Sequence, residues 1–579
     1  MRELLECGGL PAHRVIVSGR PDRRGVAVDQ SAKALGAFYT DAGIADFLVW
    51  WAIRSPNDTV MDPSFGGGVF LCSACKRLRG LGGQPARQVF GAEIDPSAYA
   101  RSASELLHRF GVRKQNLFLA DFFRLDATTL RQVDAIIGNP PFVRYQRFCG
   151  DARQTALARA AREGVRLTEL SSSWAPFLIH SIAMVKDGGR LAMVAPMEIT
   201  HAAYALPVLR HLCKSFRRIT FLTFRKKLFP ELSQETLLVL AEDKGSPCSS
   251  FVLRDLGDSA MLDEIRSRDM LPLPRTRRVS PRGLCEGRER LIAYLIPAKA
   301  RELYSRLRDL TLARRLGELA DVGIGYVTGA NDFFHLGPEE VHFWKIPEAF
   351  LKPAVLRGRA LSGLRFTKRD WREAVATGEA RYLLHIQTRG NLPDSVRQYL
   401  QYGESAGVSK AYKCRTRSPW FRVPHVSEAD GFLSYMSGLV PRLVANDAGA
   451  VAPNSLHIFH LYRHASLTVH GLAALWQTSL TRLSTELEGH ALGGGMLKLE
   501  PTEAENVLVA VPEATDGTLA YLVEELDGLL RVGDDATAQA RADKAILKEG
   551  IGLNESECRL LRMAGEMLRS RRYSRGLRP

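Results

Sequence analysis

The sequence predicts an α/β fold with a doubly wound, mostly parallel sheet, followed by a C-terminal region of mixed α+β structure. Short apolar runs alternate with amphipathic stretches from Thr59 to about Ala241, as in parallel sheets covered by helices. Several of these runs end in acidic or amide residues, at the position where open sheets bind ligands. The length of 579 residues is large for one domain, so two or three domains are expected.

Seven segments in this region have the length and composition of strands. They are TVMD, QVFGAEID, LFLAD, DAIIGN, RLAMVAP, RITFLTF and ETLLVLAE. Helical segments lie between most of them, for example PSAYARSASELLHRF and WAPFLIHSIAMVKDG. Alternation of strands with helices favours parallel pairing through right-handed crossovers.

The rest of the chain is divided by changes in composition. Residues 246–297 are rich in Pro, Gly, Ser and Arg, which is typical of a linker. Mixed short strands follow, and the end of the chain is helical and rich in arginine. The predicted parts are an N-terminal extension, an α/β domain, the linker, a second domain and a helical basic tail, at 1–34, 35–245, 246–297, 298–515 and 516–579.

Charge and cysteine content restrict the class of protein. The formal net charge of +16 favours a polyanionic partner, with nucleic acid as the first candidate. No apolar run is long enough to cross a bilayer, and the first residues lack a signal-peptide core. Nine cysteines without a framework spacing fit a reducing compartment. We therefore expect a cytoplasmic protein without a membrane partner.

The stretch VMDPSFGGGVFL follows a predicted strand and opens a predicted helix. Its glycines allow a ligand to approach the backbone closely, and a helix N-terminus offers free amide donors. Asp62 is placed to bind a ligand ammonium. A tight turn without a ligand explains the glycines equally well, so this loop alone indicates little.

The next two predicted strands also end in acidic residues, Glu93 in GAEID and Asp121 in LADFF. An acid after the second strand of such a fold can bind the two hydroxyls of a ribose. Asp121 can accept a hydrogen bond from an exocyclic amine, while Phe122 packs on a base. Each acid alone could be a cap, but three successive strand ends with suitable groups predict a shared nucleoside-like site.

The stretch DAIIGNPPFVRY contains an unusually stiff turn. A buried strand ends at Gly138, Asn139 follows, and two prolines then fix φ and remove two backbone donors. Phe142 comes directly after them. Such rigidity indicates that the Asn139 amide must be held in position.

These segments, in this order, resemble the gamma class of S-adenosylmethionine-dependent N6-adenine DNA methyltransferases of restriction-modification systems. The resemblance runs from ALGAFYTDAGIADFL through DPSFGGGVF, GAEIDP, ADFF and GNPPF to KKLFPELSQETLLVL, and the amino-proximal GAFYT is typical of that class. More loosely, GIGYVTGANDFFHL, NDAGAVAPNSLHIFH and HALGGGMLKLEP resemble its target recognition region. The resemblance implies a Rossmann-like class I methyltransferase domain, at 35–245, and a DNA-binding target recognition domain, at 298–515.

The resemblance also implies roles for the residues of the stiff turn. The Asn139 side-chain oxygen and the Pro140 carbonyl would accept hydrogen bonds from the adenine amino group, and Pro141 would stiffen the turn. Phe142 would stack on a target base flipped out of double-stranded DNA, with Phe229 packing on the same base. The S-adenosylmethionine contacts implied by the family are Tyr39, Thr40, Asp62, Ser64, Gly66, Gly68, Glu93, Asp121 and Phe122.

Other interpretations remain open at this point. An NPPF turn suits any planar amino group, so RNA or a protein glutamine could be the substrate. A catalytically silent DNA-binding subunit is a further alternative.

The sequence predicts no metal site. Cys72 and Cys75 form a single CxxC that we expect to lie in the core, and we expect His457 and His460 on a strand. No nuclease core is found, so a restriction endonuclease, if there is one, would be separately encoded.

Overall fold

The structure, a computed structural model, describes residues 40–126, 130–145, 147–202, 204–229, 235–267, 276–287, 289–387, 390–513 and 516–574. Tyr39 and the N-terminal extension lie outside these ranges. A nine-stranded sheet dominates the N-terminal half, in the order β3-β2-β1-β4-β5-β7-β6-β8-β9. Its strands are β1 Val60–Asp62, β2 Val89–Glu93, β3 Leu117–Leu119, β4 Val133–Gly138, β5 Val185–Pro196, β6 Phe216–Phe224, β7 Thr236–Lys244, β8 Ser250–Leu256 and β9 Thr276–Val279.

All seven predicted strands are present, and they confirm the doubly wound, mostly parallel α/β sheet. β1 to β5 pair in parallel, while β7 is antiparallel between β5 and β6. The apolar runs form strands because both faces of the sheet are covered, so that every residue of β1 is buried, for example. The helices of this half are α1 Ala42–Ala52, α2 Val69–Leu81, α3 Pro85–Gln88, α4 Pro96–Phe110, α5 Gly150–Arg162, α6 Trp174–Ala183, α7 Ala205–Ser215, α8 Ala260–Ser267 and α9 Pro281–Cys285.

Local sequence signals set the ends of α4, which matches the predicted helix residue for residue. The Asp95 side chain accepts hydrogen bonds from the N–H groups of Ser97 and Ala98, and Pro96 occupies the first helical position. Gly111 ends the helix with φ of +70°, a conformation that glycine adopts without strain. The other predicted helix, α6, ends at Ala183 instead of continuing to Gly188, because β5 begins at Val185.

Residues 246–297 are not the linker that the composition predicts. They contain β8, which pairs in parallel with β6, and β9, which pairs antiparallel with β8. Phe251, Leu253 and Leu256 of β8 are buried in the apolar core. The segment therefore extends the sheet, and burial of alternate apolar residues outweighs its loop-like composition.

The C-terminal half is mixed α+β, as predicted, with four small sheets. Their strand orders are β10-β21, β11-β18-β15-β17, β12-β14-β13 and β16-β20-β19. The strands are β10 Ala313–Arg315, β11 Ala320–Ile324, β12 His335–Leu336, β13 Leu351–Val355, β14 Ala380–Leu384, β15 Gly431–Ser434, β16 Met436–Ser437, β17 Leu443–Ala445, β18 Leu456–Leu461, β19 His490–Ala491, β20 Leu497–Lys498 and β21 Leu508–Ala510. The apolar core of the large sheet continues into β10, β11 and β21, while β12, β13 and β14 pack around a separate apolar cluster.

Helices surround the small sheets and form the end of the chain. They are α10 Ala298–Asp309, α11 Leu316–Leu319, α12 Asn331–Phe334, α13 Pro338–Trp344, α14 Lys368–Ala376, α15 Asp394–Ser405, α16 Tyr412–Arg415, α17 Val469–Leu475, α18 Ser479–Glu488, α19 Pro501–Asn506, α20 Asp516–Arg531, α21 Asp535–Ala542 and α22 Glu555–Ser574, with a π-helix at Asp543–Gly550. The predicted basic tail is helical over most of residues 516–574, and α22 packs on α10 and α18. Among the residues described, no helix is both long and apolar enough to cross a bilayer.

Candidate active site

The candidate site lies at the carboxyl edge of the large sheet, where three neighbouring parallel strands end together. β1 ends at Asp62, β2 at Glu93 and β4 at Gly138, which Asn139 follows directly. β1 lies between the other two, with Asp62 opposite Gly91 of β2. The structure therefore brings together polar groups that are up to about 75 residues apart in the sequence, as the pattern predicts.

Hydrogen bonds to two buried carboxyl groups hold the glycine loop between β1 and α2 in place. The Ser64 N–H donates to Asp62 Oδ1 at 3.0 Å, and the Gly66 N–H donates to Glu93 Oε2 at 2.8 Å. Gly66 and Gly68 have φ values of +45° and +76°, which favour glycine, and Gly68 is the N-cap of α2. The loop therefore presents backbone, without side chains, at the helix N-terminus.

Asp62 is a fully buried carboxyl at the centre of this edge. Burial raises its pKa to about 8, the hydrogen bond from Ser64 opposes the shift, and the nearby Glu93 carboxylate raises the pKa further. Its Oδ2 atom has no hydrogen-bond partner among the described residues. A Cβ on Gly138 would lie 2.8 Å from Asp62 Oδ1, so β4 approaches this acid too closely for any other residue. An orphan carboxylate oxygen of this kind fits a cationic ligand group.

Glu93 has a second role that its sequence pattern does not indicate. Its Oε1 atom accepts a hydrogen bond from the Asp95 N–H at 2.8 Å, so this one carboxylate binds the backbone of both adjacent loops.

Two apolar residues at the same edge of the sheet are exposed. Ile94, between Glu93 and Asp95, is 53% exposed, and Leu119 at the end of the neighbouring β3 is 51% exposed. Ile94 and Leu119 were not predicted as site residues, since isolated apolar residues at strand ends resemble core residues in sequence.

The third acidic strand end differs in part from the prediction. Asp121 follows β3 and accepts a hydrogen bond from the Phe123 N–H at 3.0 Å, which caps a short 3₁₀ helix. The Phe122 ring is 3% exposed and packs against Phe177 and His180, with ring centroids 4.9 and 4.5 Å away. The structure therefore does not offer the ring face of Phe122 for stacking. Ile94 and Leu119 supply the exposed apolar surface at this edge instead.

The Asn139 side chain has a hydrogen-bond partner for its Nδ2 group and none for its Oδ1 atom. Its Nδ2 group donates to Thr40 Oγ1 at 3.3 Å, and its backbone carbonyl lies 3.4 Å from Ser64 Oγ. Its Oδ1 atom is buried and has no hydrogen-bond partner within the described part of the chain. A buried acceptor without a donor is energetically unfavourable, by about 1–3 kcal/mol. The turn thus holds a buried hydrogen-bond acceptor that lacks a donor in the described structure.

Ser173, at the start of α6, stabilises the turn after Asn139 through hydrogen bonds to its backbone. Its hydroxyl donates to the Pro141 carbonyl at 2.5 Å and accepts from the Val143 N–H at 2.9 Å. Its own N–H donates to the Val143 carbonyl at 3.0 Å. No role was predicted for Ser173, although the run SSSW lies within the family resemblance, because only the fold brings α6 to the turn.

The two predicted base-packing aromatics lie at the same edge of the sheet. Pro140 is buried, and Phe142 is 7% exposed just past the end of β4. Phe229 follows β6, which runs parallel to β5, and is 4% exposed beside a small cavity between the ends of β6 and β7. Both rings are largely covered in this structure, so stacking on a base requires a change in the local arrangement.

The cysteines and histidines set aside in the sequence occupy structural positions. Cys75 is buried within α2, and Cys72 is partly buried on the same helix. His457 and His460 lie on β18, where His457 Nε2 bonds the Leu499 carbonyl at 2.7 Å. In the ranges that the structure describes, no group of three or more His, Cys, Asp or Glu residues is arranged to hold a metal ion.

Comparison with known families and curated proteins identifies relatives of both halves of the chain. Residues 26–262 match the N-6 DNA Methylase family, and residues 288–547 match the C-terminal domain of type II methyltransferase M.Eco57I. The type II methyltransferase M.AccI of Acinetobacter calcoaceticus is 23% identical over 481 residues, which cover 81% of this chain and 84% of that protein. The type II methyltransferase M.XamI of Xanthomonas campestris pv. amaranthicola is 23% identical over 495 residues, covering 83% and 85%.

Solved structures share the same fold. The type IIL restriction-modification enzyme MmeI in complex with DNA superimposes with a TM-score of 0.54 at 12% identity, covering 92% of this chain and 75% of that one. The DrdV–DNA complex gives a TM-score of 0.53 at 11% identity, covering 86% and 58%. The two family matches, in this order along the chain, and the type II relatives aligned over most of their length identify the chain as an N6 DNA methyltransferase of restriction-modification type, whose residues 26–262 carry the match to the N-6 DNA Methylase family.

Proposed function

We propose that this enzyme is a gamma-class, site-specific methyltransferase that modifies N6 of an adenine flipped out of double-stranded DNA, with S-adenosylmethionine as methyl donor. The observation that carries the proposal is the buried, unpartnered Oδ1 atom of Asn139 on a turn clamped by Ser173. An amino group has the donor that this acceptor lacks. The order of motifs, with GAFYT before the glycine loop, supports the gamma class.

Asn139 would act on the electronic state of the adenine amino group. The N6 lone pair is delocalised into the ring, so N6 is a weak nucleophile. Hydrogen bonds from N6 to Asn139 Oδ1 and the Pro140 carbonyl would localise the lone pair and orient it. Pro141 would keep both acceptors in place, and Phe142 would support the ring of the base.

The residues at the strand ends fit S-adenosylmethionine, which supplies an electrophilic methyl group on a sulfonium. The unpartnered Asp62 oxygen would bind the cofactor ammonium, with Tyr39, Thr40, Ser64, Gly66 and Gly68 around the methionine part. Glu93 would bind the ribose hydroxyls through lone pairs that its two loop contacts leave free. Ile94 and Leu119 would cover the adenine beside Asp121, with Phe122 supporting that wall from the core.

A basic surface segment, residues 405–427, supports DNA as the substrate. It contains no Asp or Glu, and it carries Lys410, Lys413, Arg415, Arg417 and Arg422. Tyr412 on α16 is 66% exposed, with cationic groups of its neighbours 5.7 and 5.4 Å from its ring centre. An exposed aromatic ring among cations suits contact with a sugar–phosphate backbone.

This segment is also held rigidly on the C-terminal half. The Cys414 thiol contacts the Thr328 carbonyl at 3.7 Å, and the Arg417 guanidinium donates to the Val327 carbonyl at 2.5 Å. Both carbonyls belong to GIGYVTGANDFFHL, which resembles part of the target recognition region. A fixed array of charges binds phosphates with less loss of side-chain entropy than a mobile one.

The enzyme would protect host sites against a separately encoded restriction endonuclease. Transfer of labelled methyl from S-adenosylmethionine, measured in parallel on DNA, RNA and protein, tests the substrate class directly. We expect label in double-stranded DNA only, at N6 of adenine in one sequence context, and no label with Asn139→Ala. Label in RNA or protein, or unchanged transfer by Asn139→Ala, would refute the proposal.

A further inference from the structure

Two adjacent segments of one small sheet lie in the C-terminal half, and the first of them exposes large apolar side chains. It comprises β16 and the turn after it, residues 436–439, and the second, residues 493–496, joins β19 to β20. Met436 is 45% exposed and Leu439 is 64% exposed. We call this pair of segments the knuckle. Exposed apolar side chains mark an interaction site when they form a patch on the surface.

The end of α22 holds the knuckle from behind. The Arg572 guanidinium, 3% exposed, donates to the carbonyls of Gly438 at 2.6 Å and Leu439 at 3.0 Å, and also to that of Gly495. Glu486 of α18 pairs with the same guanidinium at 2.8 Å. A buried ion pair with this many satisfied hydrogen bonds is a rigid support. The backbone at Gly438 and Leu439 is therefore held in place directly after Met436 and Ser437 of β16.

The knuckle is connected to the catalytic half through a pair of histidine rings. His490 of β19 packs edge-on against His201, with ring centroids 4.6 Å apart, and its Nδ1 atom lies 2.8 Å from Glu503 Oε1. His201 follows the 3₁₀ helix Met197–Thr200, which continues from the carboxyl end of β5. β5 is the parallel neighbour of β4, the strand that leads into the Asn139 turn.

A second set of contacts joins this loop to the turn itself. Trp174 Nε1 donates to the Tyr204 hydroxyl at 3.0 Å, and Tyr204 lies three residues after His201. The residue before Trp174 is Ser173, which bonds the Pro141 carbonyl. One continuous set of packed and hydrogen-bonded groups therefore leads from the stiff turn to the knuckle. The knuckle lies on the recognition half where that half meets the catalytic edge.

From this placement we propose that Met436 and Leu439 form an apolar wedge that enters the DNA duplex at the target step and keeps the adenine out of the stack. The proposal rests on the proposed function. Flipping a base breaks its stacking and pairing at a cost of a few kcal/mol, and leaves a gap. Apolar side chains such as Met and Leu fill such gaps between base steps in other DNA-binding proteins. A rigid wedge is required, because a mobile one would lose entropy on insertion.

The experiment compares a Met436→Ala/Leu439→Ala double variant with the wild-type enzyme on two DNA duplexes. The target sequence is first mapped by sequencing N6-methyladenine in DNA from cells that express the wild-type protein. One duplex carries the normal A·T pair at the target and the other carries a mismatch there, which weakens pairing. Val532→Ala, at a side chain that is 80% exposed outside the knuckle, is the matched control.

We expect the double variant to methylate the matched duplex at least about tenfold more slowly, which corresponds to roughly 1.4 kcal/mol. The reason is that the gap left by the flipped base is no longer filled. Its rate on the mismatched duplex should stay within about threefold of the wild-type rate, since little pairing remains to be broken. A fluorescent 2-aminopurine at the target position should show less unstacking on binding of the variant. Melting temperature and S-adenosylhomocysteine affinity should match those of the wild type and of Val532→Ala.

Two results would overturn the wedge. One is an unchanged rate on the matched duplex, and the other is an equal loss on both duplexes, which would indicate general DNA binding. Neither affects the proposed function, which is tested by the substrate class of the wild-type enzyme and by the Asn139→Ala variant. The two ideas are therefore tested separately.

Discussion

The raised pKa of Asp62 predicts that S-adenosylmethionine-type ligands bind with release of a proton. Asp62 is fully buried, its Oδ2 atom has no partner in the described structure, and its pKa is about 8. Below pH 8 the free enzyme therefore holds Asp62 mainly in the neutral form. A ligand ammonium stabilises the carboxylate instead, so binding and loss of the proton are linked.

The magnitude follows from the pKa. One unit below it, at pH 7, about one tenth of Asp62 is ionised, and at pH 6 about one hundredth is ionised. The apparent dissociation constant should therefore weaken about tenfold for each unit that the pH falls, or about 1.4 kcal/mol per unit. At pH 7 each binding event should release close to one proton. Asp62→Asn cannot release this proton, so its affinity should be nearly independent of pH.

Calorimetric titration of S-adenosylhomocysteine between pH 5.5 and 7.0 measures both quantities. This ligand keeps the ammonium and lacks the reactive methyl group, and its amino group stays protonated over that range. Repeating each titration in buffers of different ionisation enthalpy counts the protons released. A flat pH dependence in the wild-type enzyme, or an equal slope in Asp62→Asn, would refute the assignment of Asp62 as the ammonium site.

Three further predictions test other parts of the site. Asn139→Ala should reduce single-turnover methyl transfer by at least about 10²-fold, with S-adenosylhomocysteine affinity nearly unchanged, because it removes an acceptor for the reacting amine only. Glu93→Gln should weaken that affinity by about ten- to a hundred-fold, which calorimetry measures, since a charged contact to the ribose is lost. Replacing Lys410, Lys413 and Arg415 by Gln should reduce DNA affinity alike on cognate and non-cognate duplexes and flatten its salt dependence by up to about 3 units in a log–log plot. Unchanged transfer, unchanged affinity or an unchanged salt slope, respectively, would contradict these assignments.

Much of the fold could be predicted because the apolar runs are covered on both faces. β4, for example, is recognisable from Ala135, Ile136 and Ile137, all fully buried, and from the glycine that ends it. Residues 246–297 could not be assigned in this way. β9 there has the sequence TRRV, whose only buried residue is Val279, so nothing local separates this edge strand from a loop.

The candidate site was predictable at its charged groups and less so at its apolar ones. Asp62, Glu93 and Asn139 are recognisable because acids and amides at strand ends are unusual. Ile94 is not recognisable, because an apolar residue between two acids looks like a buried strand residue in the sequence. Only the structure shows that Ile94 is exposed. The burial of Phe122 could not be predicted either, because the fold brings α6 against its ring. Burial depends on tertiary contacts that no local pattern contains.

Ion pairs between the N-terminal and C-terminal halves of this enzyme argue against treating the halves as separable modules. Arg571 of α22 pairs with Asp255 of β8 in the large sheet, where the Thr223 hydroxyl also donates to that carboxylate at 2.9 Å. Arg290 also pairs with Glu488 at 2.8 Å. Removing the C-terminal half would take Arg571 away from Asp255, leave it the longer ion pair with Arg225 at 3.6 Å, and expose a shared apolar core, which is destabilising. In the described parts of the chain, the two halves are therefore joined by ion pairs and by a shared apolar core, and α22 contacts the same sheet whose β4 leads into the Asn139 turn.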